Sequence, residues 1–246
     1  LDSIASFFSA GQQPTGAADP YGVKKAAIAV VRVLIGAGWR LPLRKMLGAT
    51  GRETVVEAVS EFLFTRLKGL LDLEGEGMAP DVVLAALSSS PDDLCDAAAR
   101  ARALSKFRGR DDFMNLAIAF KRSYNITKDV APGEVRPALF ERDEERALAA
   151  AFGEMKPRFG GLIAGHDYDA ALDLVSRSLR VPIDRYFDKV FVMVDDAAVR
   201  ENRLHFLRDI ADTLSFVAHF HLLQTEIDVK KGTVTDGRTA ARAERI

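Results

Sequence analysis

One cysteine, Cys95, in 246 residues excludes a disulfide framework and a thiolate-based zinc site; it fits a reducing, cytoplasmic setting. Charge of one sign is also lacking. Lys and Arg total 34 against 35 Asp and Glu, for a net charge of −1, so any nucleic-acid surface must be local. The longest apolar-rich stretch, Ala26 to Leu34, is interrupted by Arg32 and is far below membrane-spanning length. Histidine is scarce, with four in all, and no His-Glu-x-x-His or His/Asp cluster stands at ligand spacing. His219 and His221 are two apart, about 200° round a helix, and read as packing or surface residues. The opening Leu1-Asp2-Ser3 has no methionine and no signal-peptide pattern; it suits a stretch of a longer protein.

Several catalytic signatures are missing too. Gly36-Ala37-Gly38 follows a helical pattern rather than a strand, which argues against a dinucleotide loop. The glycines from Gly160 to Gly165 lack the Lys-Ser/Thr ending of a phosphate loop. There is no Gly-x-Ser-x-Gly elbow. Cys95 sits among alanines near a helix start and reads as packing. Acid pairs such as Asp111-Asp112 and Asp195-Asp196 complement helix dipoles. No active site is expected in this stretch.

What is present is helix, and the expected fold class is all-α. Asp19-Pro20 opens a helix through Val23, Ala27, Val30 and Leu34 that ends at Gly36 and Gly38. Thr50-Gly51-Arg52-Glu53 has the spacing of a capping box ahead of a stripe from Val55 to Leu70. Pro80 opens a short helix, Ser90-Pro91-Asp92-Asp93 another, and Phe113 to Tyr124 a fifth. Pro137 allows a start for a helix whose inner face ends before Pro157. Gly160-Gly161 to Gly165 is expected to be a loop, and the following helix to stop before Val181-Pro182. Val190 to Val194 is strand-like but has no partner run, so buried helix or loop is expected. A long helix on Val199, Phe206, Ile210 and Leu214 follows, then a basic tail with Lys230, Lys231, Arg238, Arg242 and Arg245.

Two sets of residues could bind RNA. On the fifth helix Lys121, Arg122 and Asn125 share an arc of about 100°, apart from the apolar face. Two cations beside an amide suit a phosphate and a base edge; the same pattern suits a solvated helix face. The second set is Arg185 and Lys189 beside Tyr186 and Phe187, with Arg200, Asn202 and Arg203. Stacking on aromatics or guanidinium planes is a common way to read single-stranded RNA. The alternative is that the aromatics are core and Asn202-Arg203 pin the preceding loop. Lys24, Lys25 and Arg32 form a third basic stripe, again compatible with a solvated face.

At these residues the sequence resembles the bacterial glycyl-tRNA synthetase β-subunit family. Pro182-Ile183-Asp184-Arg185-Tyr186-Phe187-Asp188-Lys189-Val190-Phe191-Val192-Met193-Val194, continued by Val199-Arg200-Glu201-Asn202-Arg203-Leu204, is similar to that family's C-terminal signature. Pro14-Thr15-Gly16, Asp19-Pro20-Tyr21 and Lys24-Lys25-Ala26-Ala27 resemble the stretch closing its HD-like domain, with Lys-Lys where Arg-Arg is expected. Ala119-Phe120-Lys121-Arg122 with Asn125-Ile126, and Pro137-Ala138-Leu139-Phe140, resemble the start of its anticodon-binding region and the link that follows.

The resemblance implies a division into residues 1–47 ending an HD-like domain, 48–100 a helical body, and 101–229 a helical anticodon-binding domain. The tail at 230–246 would be an addition to the family pattern. It further implies recognition of tRNA(Gly) by the β chain. A separate α subunit, holding ATP and Mg, would activate glycine, in an assembly of two α and two β chains. No cofactor is implied in this stretch. The rival readings are a helical scaffold for subunit assembly and a regulatory fragment of an HD-domain phosphohydrolase.

Overall fold

The computed structural model describes residues 1–14, 19–72 and 75–225. Among them there are ten α-helices and no strand: α1 (Asp2–Ser9), α2 (Val23–Ala37), α3 (Leu43–Gly48), α4 (Val56–Leu71), α5 (Pro80–Leu87), α6 (Leu94–Arg108), α7 (Phe113–Thr127), α8 (Asp143–Ala164), α9 (Tyr168–Lys189) and α10 (Ala197–Ser215). The all-α expectation holds. The basic tail, and Thr15-Gly16 of the first motif, lie outside the described residues.

The chain forms two compact units. Unit 1 comprises residues 1–107, 161–172 and 216–219; unit 2 comprises the remainder. In unit 1, α4 is the central helix. Its Val59, Leu63, Leu67 and Leu71 are fully buried, one stripe at helical spacing. α1, α2, α3 and α5 pack around it through Ile4, Phe8, Ala27, Val31, Leu43, Leu47 and Val82. Residues 1–47 and the segment after them therefore share one core.

The caps differ from the sequence reading in instructive ways. Asp19 does cap α2, its Oδ2 accepting from the Lys24 and Lys25 amides at 3.0 and 3.4 Å, but from a turn in which Pro20 precedes the helix. Thr50 forms no capping box: its hydroxyl donates to the Leu47 carbonyl at 2.7 Å, and a 3-10 turn over Glu53–Val55 leads into α4. Asp93 caps α6 at the Asp96 amide, 2.8 Å. Its neighbour Asp92 accepts from the Leu43 and Arg44 amides, at its carbonyl and at Oδ1 respectively, and so caps the distant α3.

Asp96 gathers the rest of unit 1. Its buried carboxylate accepts from Arg40 Nη1 and Arg100 Nε, both at 2.6 Å, and from the Tyr168 hydroxyl, with His166 Nδ1 at 2.8 Å. Arg100 also donates to the Phe216 carbonyl and lies 4.5 Å from the Tyr168 ring centre. Burial alone would raise the Asp96 pKa, but the hydrogen bonds from Tyr168 and Arg100 win and hold it at about 2. A carboxyl with a depressed folded-state pKa stabilises the fold above its unfolded value and loses that contribution as pH falls through the folded one.

Unit 2 holds α7, α10 and most of α8 and α9. Its core is aromatic: Phe113, Phe120, Phe152, Phe159, Tyr186 and Phe206 are all buried, and Phe206 is edge-on or tilted to Phe140, Phe152 and Tyr186. Two expected breaks are absent. α8 runs through Pro157, Gly160 and Gly161 to Ala164, and α9 runs through Pro182 to Lys189. A mid-helix proline costs about 3 kcal/mol. The buried stripes continue in register on both sides, as Leu148, Phe152, Met155, Phe159 and as Val175, Leu179, Ile183, Tyr186. Their burial, at about 1.5–3 kcal/mol per large apolar side chain, outweighs that cost.

We expect Asp96→Asn to remove about 2 kcal/mol from the stability at neutral pH. Urea unfolding from pH 7 downwards checks it. The wild type should shed this contribution between about pH 4 and pH 2, and the gap between the two proteins should close there.

Candidate nucleic-acid interface

α7 is positioned by its own apolar face and by residues 220–223. Phe113, Leu116, Ala117 and Phe120 are buried. Ser123 and Thr127 are buried too, and satisfy their hydroxyls on the Ala119 and Ser123 carbonyls. On the flank, Tyr124 stacks face to face on His221 at 3.7 Å with planes 7° apart, and Phe120 meets Phe220 edge-on. The 3-10 turn Phe220–Leu222 thus lies against α7.

That packing determines where the α7 candidates point. Lys121 is half-buried, and its ammonium donates to the Leu223 carbonyl at 3.0 Å. Arg122 and Asn125 are exposed. The Arg122 guanidinium lies 4.4 Å from the ring centre of Phe187 on α9, an arrangement that holds a cation in place while leaving its edge to solvent. Arg185 and Lys189 are exposed on α9, but two residues from Phe187 in either direction is about 160° round the helix. They flank α9 on the side away from Arg122, and Asp184 and Asp188 occupy the ridge between. The eight candidates do not form one patch.

Asn202 and Arg203 face inward, and Arg200 is half-buried. Glu145 is completely buried, and Arg203 is 2% exposed. Arg203 Nε and Nη2 grip the two Glu145 oxygens at 2.8 and 3.0 Å, and Nη2 also reaches Glu141 at 3.0 Å. Glu145 Oε2 in addition accepts from the Glu141 and Arg142 amides at 3.0 and 2.9 Å, so it caps α8 from inside the first turn. Burial would raise the Glu145 pKa, but the hydrogen bonds from Arg203 and from the two amides lower it overall, and the same contact raises the pKa of Arg203. Asn202 is buried, its Oδ1 accepting from the Arg136 amide at 2.6 Å while Nδ2 has no hydrogen-bond partner. Arg203 and Asn202 are therefore withdrawn as RNA contacts: a buried guanidinium whose donors are taken by Glu145, Glu141 and the Phe191 carbonyl has none to offer a phosphate.

The remaining Arg203 nitrogen shows what these residues do. Nη1 donates to the Phe191 carbonyl at 3.1 Å, and Arg200 Nη1 donates to the Val194 and Asp195 carbonyls at 2.7 and 3.3 Å. The strand-like segment 190–194 is a loop, and arginine side chains satisfy the carbonyls that no neighbouring strand does. Its alternation is real: Val190 and Val192 are buried, whereas Phe191 is 75% and Met193 59% exposed. Asp196 closes the loop by capping α10 at the Ala198 and Val199 amides.

The histidines are occupied structurally. His221 stacks on Tyr124, His166 contacts Asp96, and the His205 ring lies so close under Gly133 that any Cβ there would clash. His219 is in unit 1, where its amide donates to the Ala85 carbonyl at 2.9 Å, and burial lowers its pKa. Cys95 is buried with a raised pKa, chiefly from desolvation. Among the described residues no group of three His, Cys, Asp or Glu is disposed to hold a metal, and no helix is long and apolar enough to cross a membrane.

Comparison with known proteins puts this helical chain among subunits of aminoacyl-tRNA synthetases. The profile of the glycyl-tRNA synthetase beta subunit family matches residues 1–88. The chain is 38% identical over 245 residues to the glycine–tRNA ligase beta subunit of Myxococcus xanthus, covering 92% of this chain and 34% of that protein. It is 38% identical over 237 residues to the beta subunit of Shewanella oneidensis, with 91% and 34% covered. For Trichlorobacter lovleyi the match is 37% over 230 residues, with 89% and 33% covered. The chain belongs to the glycyl-tRNA synthetase beta-subunit family, and it spans about a third of the length of these relatives.

Truncating Arg203 leaves Glu145 buried without its counter-ion, which costs about 3–5 kcal/mol. Arg203→Met should therefore destabilise the protein severely in urea titrations. The double variant Arg203→Met, Glu145→Gln should recover a large part of the loss, because no uncompensated charge remains.

Proposed function

We propose that the full-length protein is the tRNA-recognising subunit of a glycine–tRNA ligase, and that unit 2 carries the anticodon-binding surface. In this reading glycine is activated by ATP and Mg on a separate α subunit, in a cytoplasmic assembly of two α and two β chains. The stretch described here binds rather than catalyses. Membership of the beta-subunit family supports the class of reaction. Residues 101–229 of the family pattern correspond to most of unit 2.

The observation that carries the anticodon reading is the α7 face. Arg122 is exposed yet held on Phe187, and Asn125 is exposed one turn further on. A held guanidinium suits a phosphate, and a neighbouring amide suits a base edge. Lys121 stands beside them with its ammonium on the Leu223 carbonyl, so it adds positive potential to the arc. Arg185 and Lys189 would form a separate phosphate-contacting flank on α9.

The test is tRNA(Gly) binding by the full-length protein with its α subunit, using cognate and altered anticodons at several salt concentrations. Arg122→Ala should weaken binding to all of them alike and flatten the slope of log affinity against log salt by about 0.7–0.9. Asn125→Ala should selectively reduce preference for the cognate anticodon, by about 1–3 kcal/mol if the scale for base contacts in DNA applies. Unchanged affinity, slope and discrimination in both folded variants would reduce the α7 arc to solvated surface.

A further inference from the structure

The loop between α9 and α10 presents the most exposed large apolar side chain among the described residues, Phe191, with Met193 beside it in the alternation. Exposure is not the outcome of a loose loop. Val190 and Val192 are buried on either side of Phe191, and the Val190 amide donates to the Tyr186 carbonyl at 2.8 Å. Arg203 holds the Phe191 carbonyl, and Arg200 holds those of Val194 and Asp195. A buried ion pair thus fixes the backbone that points the ring outward. An aromatic side chain on a fixed frame loses little entropy on binding, whereas an unused phenyl ring forfeits about 1.5–3 kcal/mol of burial.

We propose that Phe191, assisted by Met193, is a stacking platform for one unpaired nucleobase of the bound RNA. The proposal rests on the RNA-recognition reading above and adds a subsite to it. The choice of RNA over a protein partner follows from the surroundings. Two adjacent apolar side chains stand among exposed charges, with Lys189 and Arg185 on the preceding helix and Asp188 and Asp195 close in sequence. A protein helix would want a contiguous apolar stripe. A flat base on a charged backbone wants one ring and one or two cations. Because acids share this end of α9, and Asp196 is occupied as a cap, the ring rather than charge carries the contact. Lys189 supplies at most a neighbouring phosphate contact.

The experiment uses the full-length protein with its α subunit and tRNA(Gly) carrying 2-aminopurine at one anticodon-loop position at a time. One position should change fluorescence on binding to the wild type. Phe191→Ala should abolish that change and weaken binding about 5- to 150-fold, the equivalent of about 1–3 kcal/mol per stacked base, without altering the salt slope. Phe191→Trp should keep both the signal and the affinity. Phe191→Leu, which retains apolar bulk but no ring face, should behave as Phe191→Ala. Wild-type affinity in Phe191→Ala, or equal rescue by Leu and Trp, overturns the platform. So does a loss confined to co-purification with a protein partner. Arg122→Ala measured alongside separates the two readings. If it flattens the salt slope while Phe191→Ala is silent, recognition stands and the platform falls; if both are silent, both fall.

Discussion

The guanidinium of Arg203 and the carboxylate of Glu145 are both cut off from water, and each is tolerable only because the other is there. Much of unit 2 hangs on their contact. Glu145 turns the chain into α8 by taking the Glu141 and Arg142 amides. Arg203 ties α10 to α8 and reaches past it to the carbonyl of Phe191. Tyr186 packs completely buried near the same pair, its hydroxyl pKa raised first by desolvation and then by the Glu145 charge. A purely apolar contact could hold the helices together equally well, but it could not satisfy the carbonyls of an unpaired extended loop.

The signature around Asn202-Arg203 therefore has a structural meaning. Its polar residues support a surface without belonging to it. Arg203 is buried and Arg200 is turned onto the loop carbonyls, and what emerges between them and α9 is apolar, Phe191 and Met193. The exposed cations among the candidate residues sit elsewhere, on α7 and on the far flank of α9. A net charge of −1 accords with the proposed recognition being made by a few placed contacts rather than by a general positive field. In unit 1 the Asp96 hub plays the corresponding part with different chemistry. One carboxylate shared by Arg40, Arg100, Tyr168 and His166 joins residues up to 128 positions apart, and Arg100 extends the network to the Phe216 carbonyl.

Helical class, the inward residues of α4, α7 and α10, and the absence of a partner for 190–194 were all legible from spacing, because a 3.6-residue period depends on local sequence alone. A loop was among the expectations for that segment, but the exposure of Phe191 and Met193 was not. The family was legible as well, from four short motifs in order. Local punctuation misled in particular places. Pro157 and Pro182 read as stops, and Thr50 to Glu53 read as a box. Each is a local preference worth one to three kcal/mol, which a buried stripe or an alternative turn can override.

Residue identity by itself thus determined that this chain would be helical, which faces would be apolar, and to which family it belongs. It could not decide which polar residues meet solvent. Arg122 and Arg203 look alike in sequence, each a cation near an asparagine in a helix with aromatic neighbours. Only the fold places Glu145, 58 residues away, against one of them and the Phe187 ring under the other. Electrostatic and hydrogen-bond partners are chosen through space, at distances of about 3 Å, and a linear pattern carries no record of who arrives there.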